Sequence, residues 1–254
     1  MKRMFLTLYN ASVNGRNQMK PLSDHVYLDH TPDHIHIEFT CPHTVMSSAV
    51  LNGGIVRADH IINLRVPKHI PPSMESALEP PETTLERYCD QHNWKGTTVG
   101  MMTAASMNSL RISADRMEDI EIIALVTSGL SNPLRAGDPA KCRNLEDRAG
   151  GAGTVNAILL TTACLKPAAM VEAIMIATEA KAAAFQLFDI RSRVSNKVAT
   201  GTGTDAIALA CRPDSYEIKY CGKHLIFGEL IGRLMMETLT STIRWELERN
   251  NEQK

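Results

Sequence analysis

The residues with the most capacity for chemistry lie late in the chain, in the run VATGTGTDAIALACR at positions 198–212. Thr200, Thr202 and Thr204 alternate there with Gly201 and Gly203, and Asp205 follows. The pattern strips away side-chain bulk, keeps hydroxyls and exposes backbone N–H groups. A phosphate loop would need a lysine after its glycines to neutralise charge. Here a carboxylate stands close behind, and it would repel phosphate. The dinucleotide fingerprint also fails, because its third glycine is missing. What survives is a neutral polar cradle with one carboxylate, suited to bonding an amide or positioning a water. The competing reading is a tight corner in which the threonines cap backbone groups and Asp205 closes an Asx turn. The stretch by itself balances the two.

Four other constellations carry chemistry. GLSNPLRAGDPA gathers Ser131, Asn132, Arg135 and Asp138 in one loop. Asn132 can bind an amide, Arg135 can fork onto a carbonyl, and Asp138 can orient either or simply bond its own loop. SSAVLNGG offers Ser47 and Ser48 as nucleophiles without a G-x-S-x-G elbow, and Asn52 at a turn. DHIHIE sets His34, His36 and Glu38 on one strand face, with His43 and His60 as further metal-ligand candidates. A solvated polar face is the commoner explanation of that pattern. ATEAK interrupts an apolar helix with Glu179 and Lys181, of which Glu179 is the candidate base; Glu172, one face above it, favours a wet face instead. Cys211 and Cys221 read as buried, inert thiols.

Elements must place these groups. Alternation over 33–40 predicts a strand with Ile35, Ile37 and Phe39 on one face. Further strand-like runs cover 43–54, 56–67, TTVGMMTAAS, IEIIALVTSGLSN, TVNAILLTTACL and the run after Asp205, and CRPDSYEIKYCGK reads as a hairpin. Helices are expected at 81–92, 167–188 and 227–248, the second with Pro at its first position and an alanine stripe at 173, 177, 180 and 184. Residues 70–81 hold four prolines and read as a connector, and 135–153 as a loop. Apolar runs break at Thr103, Thr127 and Thr200; if those strands were neighbours pointing one way, the breaks would form a hydroxyl-rich rim. The fold class is α+β: a mixed sheet core packed by the two long helices of the C-terminal half, one compact domain over 1–254. An α/β three-layer sandwich is the alternative.

Composition excludes other classes. With 27 basic and 28 acidic residues the net charge is -1, which gives no footprint for nucleic acid or an anionic membrane. No apolar run is long enough to span a bilayer, and six scattered cysteines without a C-x-x-C pair fit a reduced, cytoplasmic protein. The alanine stripe and the Met-rich last helix offer surfaces for a homo-oligomer.

Together and in order, SSAVLNGG, VGMMTAAS, VTSGLSNPLRAGDPA, GTVNAILL, AAMVEAIMIATEAKAAAF, ATGTGTDAIALA and GKHLIFGELIGRL resemble the adenosylcobinamide amidohydrolase family. Pro133 departs from it, since alanine is usual there. The resemblance implies a salvage enzyme that cleaves the amide joining the aminopropanol arm to the corrin ring of adenosylcobinamide, giving adenosylcobyric acid. The corrinoid is then the substrate and no cofactor is implied; a metal requirement stays open. On this reading the two loops form one site. Asp205 would orient or activate water, Asn132 and loop N–H groups would hold the oxyanion, and Glu179 would be the reserve acid or base. Asn52, Thr103, Ser131, Arg135, Asp138, Thr200, Thr202 and Thr204 would contact substrate. A covalent route through Ser47, Ser48 or a threonine remains open. So do a non-catalytic corrinoid-binding protein and a metal-dependent hydrolase using His34 and His36.

Overall fold

A computed structural model describes residues 19–67, 79–140 and 153–252. The short strands β1 (Lys20–Ser23) and β2 (Val26–His30) lead into the long strand β3 (His34–Ser47), which turns back as β4 (Gly54–Arg65). The helix α1 (Pro81–Gln91) follows, then β5 (Thr98–Thr103), β6 (Arg111–Met117) and β7 (Ile120–Ser128). After a two-residue strand β8 (Pro133–Leu134) come β9 (Val155–Thr161), β10 (Cys164–Leu165) and the helix α2 (Pro167–Leu187). Then β11 (Gly201–Thr202), β12 (Ala206–Cys211), β13 (Glu217–Ile218) and the helix α3 (Ile226–Glu252) complete the described chain.

Nine strands share one mixed sheet in the order β1-β2-β3-β12-β9-β7-β6, with β4 on β3 and β5 beyond it. β2 and β12 share one edge of β3, in its first and second halves, while β4 runs along the other. The register between β3 and β4 slips between Glu38 and His43. Pro42 sits in that interval and has no N–H to give a ladder, so the strand bends where its sequence cannot pair.

The bend lets the sheet curl and pack against itself. Ile35, Ile37, Val45, Ala58, Ile61 and Val99 from one half meet Ile123, Leu125, Ile158, Leu160, Ala208 and Ala210 from the other. Period-2 alternation sends the intervening residues outward. On β7, β9 and β12 these are Ile122, Ala124, Val126, Ala157, Leu159 and Leu209, which the two long helices cover. On β4 they are Ile62 and Leu64, which α1 covers through Leu85 and Cys89. The class is α+β, with helices outside both halves of a folded-over sheet. The buried stripe Ala173, Ala177, Ala180 and Ala184 lets α2 lie close to its neighbours, and Leu230, Ile231, Leu234, Met235 and Leu239 supply the matching side of α3.

Two readings change. The 211–223 segment is no hairpin: β13 pairs in parallel with β10, because Asp214 at φ 54° turns the chain toward the start of α2 rather than back on itself. The face carrying His34 and His36 is not wet, since α1 and Trp94 cover it and leave these residues 2% and 1% exposed. The expected 70–81 connector and 135–153 loop lie largely outside the described residues. No helix among the described residues is long and apolar enough to cross a membrane.

Candidate active site

The Thr–Gly loop and the Asn132 loop come together. β11 pairs antiparallel with β8, placing Gly201 opposite Leu134 and Thr202 opposite Pro133. Thr200 donates its N–H to the Leu134 carbonyl at 2.9 Å and accepts the Ala136 N–H at 2.9 Å. Close approach favours glycine at both positions, most at Gly201, whose neighbour Asp205 is held by other bonds. A β-carbon on Gly201 would lie 2.3 Å from Asp205 Oδ2, and one on Gly203 would lie 2.6 Å from Asn132 Nδ2.

Asp205 is the hub. Its Oδ1 accepts the Val155 N–H at 2.9 Å and the Thr202 hydroxyl. Its Oδ2 accepts the Thr202 N–H at 2.9 Å and an ion pair from Lys181 Nζ at 2.5 Å. The Asp205 and Lys181 side chains are 10% and 19% exposed, so the pair is mostly withdrawn from water. Four donors fill the acceptor capacity of a carboxylate. Asp205 therefore holds a loop and a cation, with no lone pair left over for water.

Lys181 and Asp205 line a cleft of about 180 Å³ between the helix layer and the starts of β9 and β12. Ser48, Val155, Ala157, Ala177, Thr178 and Met235 are among its other walls. It is an apolar slot with a cation, two hydroxyls and one carboxylate, the composition expected where a neutral polar group is bound and activated.

On the other face of the same strand ends lies a buried amide network. Asn156 Nδ2 donates to Asn63 Oδ1 at 2.8 Å and to the Met102 carbonyl at 2.9 Å, while its Oδ1 accepts the Ala206 N–H at 3.2 Å. Asn63 in turn donates to Thr127 Oγ1 at 3.0 Å. The Thr-marked ends of β5 and β7 thus meet the entry of β12, but because β7 runs antiparallel to β9, the end of one strand meets the start of the next. Asn156→Leu would take a partner from the buried Asn63 amide and from the partly buried Met102 carbonyl and Ala206 N–H. We expect it to lower unfolding free energy by about 3 kcal/mol or more, at about 1–3 kcal/mol per group, as read from the urea midpoint.

The other candidates fall in three places. Around the loops, Arg135 donates to the Val198 carbonyl at 2.8 Å, and Asp138 accepts the Arg135 N–H at 3.1 Å and the Ser192 hydroxyl at 2.5 Å. The hydroxyls of Ser192 and Ser195 hold the Asp138 carboxyl below the usual carboxylate range. Thr204 bonds the Thr154 hydroxyl at 2.7 Å, and Ser131 and Asn132 lie against Gly153. Away from the cleft, Asn52 donates to the Thr98 carbonyl at 2.8 Å in the β3–β4 turn, and Thr103 is buried and accepts the Ala105 N–H at 3.0 Å. On the outer surface, Glu179 pairs with Lys223, with side chains 52% and 67% exposed, so it is Lys181 that α2 turns toward the cleft.

The histidines form a buried cluster instead of an open ligand set. His34 Nδ1 meets the Tyr88 hydroxyl at 2.8 Å and its Nε2 meets Asp29 at 3.2 Å. His36 Nε2 meets His60 Nδ1 at 3.1 Å, and its ring stacks on Trp94 at 3.7 Å. His43 stands apart on Phe39. With His34 bonded at both nitrogens and both rings sealed from solvent, this geometry does not support the metal-dependent alternative. Burial, with Glu172 beside it, pushes the Cys221 thiol up to about 12, and burial raises Cys211 as well, so neither supplies a thiolate near neutral pH.

A model of amide-hydrolysing enzymes matches residues 19–251, so the chain is an amidohydrolase in class. The description that model carries is adenosylcobinamide amidohydrolase. A Methanosarcina mazei protein named adenosylcobinamide amidohydrolase is 31% identical over 194 residues, covering 72% of this chain and 82% of the relative. A Halobacterium salinarum protein of the same name is 26% identical over 213 residues, covering 82% and 83%. An uncharacterized Methanocaldococcus jannaschii protein is 32% identical over 157 residues, or 56% of this chain, and the match spans 61% of that relative's length. The chain belongs to the adenosylcobinamide amidohydrolase family.

Proposed function

We propose that this chain hydrolyses the amide between the corrin ring and the aminopropanol arm of adenosylcobinamide, releasing aminopropanol and adenosylcobyric acid in corrinoid salvage. The observation that carries the reading is the pair formed at the cleft by Lys181 of α2 and Asp205 of the Thr–Gly loop. Amide hydrolysis needs a nucleophile, stabilisation of an oxyanion and a proton for the departing amine. A lysine ammonium has three donors. One is fixed on Asp205, which leaves the others to face a carbonyl in the slot.

Size supports an arm-first mode of binding. Pockets that enclose drug-sized ligands run to about 300–1,000 Å³. A cleft of about 180 Å³ is smaller, so it takes the aminopropanol arm and the scissile amide and leaves the corrin ring outside. The near-neutral protein and its amide-rich loops suit a substrate edged with neutral amides. The test is incubation with adenosylcobinamide and detection of free aminopropanol. Release at a rate proportional to enzyme is expected. Tight corrinoid binding without release would replace this reading with that of a non-catalytic carrier.

A further inference from the structure

Two adjacent serines close β3, and the structure gives them different tasks. Ser47 is 8% exposed. Its hydroxyl donates to the Ile207 carbonyl at 2.9 Å and accepts the Ala49 N–H at 2.8 Å, so both its roles are spent on the fold. Ser48 points the other way, as strand alternation requires. It is exposed and lines the same cleft as Lys181 and Asp205. Its oxygen accepts the Ile207 N–H at 3.1 Å, while its own O–H has no acceptor among the described residues.

A backbone N–H aimed at a hydroxyl oxygen fixes its position and favours the charge that develops as the proton leaves. The rivals are otherwise engaged. Thr202 gives its proton to Asp205, Thr204 shares its hydroxyl with Thr154, and both C-terminal thiols are buried. Thr178 also lines the cleft, but no backbone donor among the described residues holds its oxygen.

We infer that Ser48 is the nucleophile and that hydrolysis passes through an acyl ester on its oxygen; the substrate assignment in this inference rests on the proposed function. The Ser48 oxygen bonds to the amide carbonyl carbon. Lys181 gives one proton to the departing nitrogen and takes the Ser48 proton in exchange, so it ends as it began. The C–N bond breaks and the free amine leaves. Water then adds to the ester, releases the acid and returns the hydroxyl to Ser48. No other reactant is needed.

Two measurements on the full chain test this. The first needs no corrinoid: a fluorophosphonate should label the peptide containing Ser48 in the native protein, and the label should vanish in S48A. The second follows aminopropanol release. S48A should lose activity about 10⁴-fold or more, with the thermal midpoint lowered only by the loss of one exposed hydrogen bond to Ile207, and hydroxylamine added to the native enzyme should divert product to the hydroxamate. The inference is overturned by a label absent from Ser48, by S48A release within about tenfold of native, or by a label that follows Thr178 and disappears in T178V. Labelling of Ser48 without aminopropanol release would keep the nucleophile and reject the substrate.

Discussion

Lys181→Met is expected to cut kcat for aminopropanol release by about 10²–10⁴, the range for losing the group that moves the proton, with KM changed far less. Methionine keeps most of the stem that α2 lays along the cleft and removes the ammonium, with its charge, its donors and its bond to Asp205. Asp205→Ala should do two things at once. It leaves Lys181 without its carboxylate and also frees the Val155 and Thr202 N–H groups and the Thr202 hydroxyl. Unpairing a largely withdrawn ion pair costs about 3–5 kcal/mol when burial is complete. With Lys181 19% exposed a figure nearer about 2–4 kcal/mol is expected. Both variants unpair the same ion pair and so lose stability, but Lys181→Met keeps the three other donors on Asp205 and should lose less than Asp205→Ala, which frees them all. Equal thermal midpoints for Asp205→Ala and native protein would show that Asp205 is not the hub of the loop.

The second large effect is acid lability set by the buried imidazoles. Burial, reinforced by His60, His34 and His92 nearby, pushes His36 down to about 3. Burial also lowers His34, with Asp29 opposing the shift in part, and lowers His30 and His43. In the unfolded chain such groups titrate near about 6.5. Below that value the unfolded state binds the extra proton and the folded state refuses it. Stability is therefore full above pH 6.5 and falls as the pH drops toward 3. One group contributes up to about 1.4 kcal/mol per pH unit, or roughly 2–3 kcal/mol from His36 alone between pH 6 and pH 4. His36→Phe keeps a ring against Trp94 and removes the proton site. Its urea midpoint should fall less steeply over that range than that of the native protein, and parallel slopes would place the lability elsewhere.

These two effects differ in how far they can be read from sequence. Ile35, Ile37 and Phe39 were legible as one buried face from their spacing alone, and they do enter the core between the sheet halves. The opposite face, His34 and His36, carries the same period whether water or a helix covers it, because alternation reports which side chains share a face and not what lies against it. Only α1 and Trp94, roughly fifty residues on, decide the matter. The long helices were legible at nearly their observed bounds, since Pro167 marks one start and the apolar periodicity marks the rest. The union of the Thr–Gly and Asn132 loops was anticipated and is formed by the β8–β11 pair.

Lys181 was visible only as a charge two residues from Glu179. A turn of 3.6 residues sends such neighbours to different sides, and sequence does not say which side is the cleft. Asn63 and Asn156 gave no signal either, as each sits singly in an apolar strand. β6 was missed because its residues alternate with charge and lie half-buried at the sheet edge.

The join between β3 and β12 has a kinetic consequence. Ser48 and Ile207, hydrogen-bonded at the mouth of the cleft, are 159 residues apart in the chain. Two adjacent strands of the sheet, β3 and β12, thus come from segments far apart in the chain. Contacts that close so large a loop form late and slow the folding of the whole. Residues as far on as Met235 and Leu239 must be made before the cleft is complete. An amino-terminal fragment can therefore hold Ser48 without ever presenting it to the cleft, which is complete only once β12 and α3 have been made.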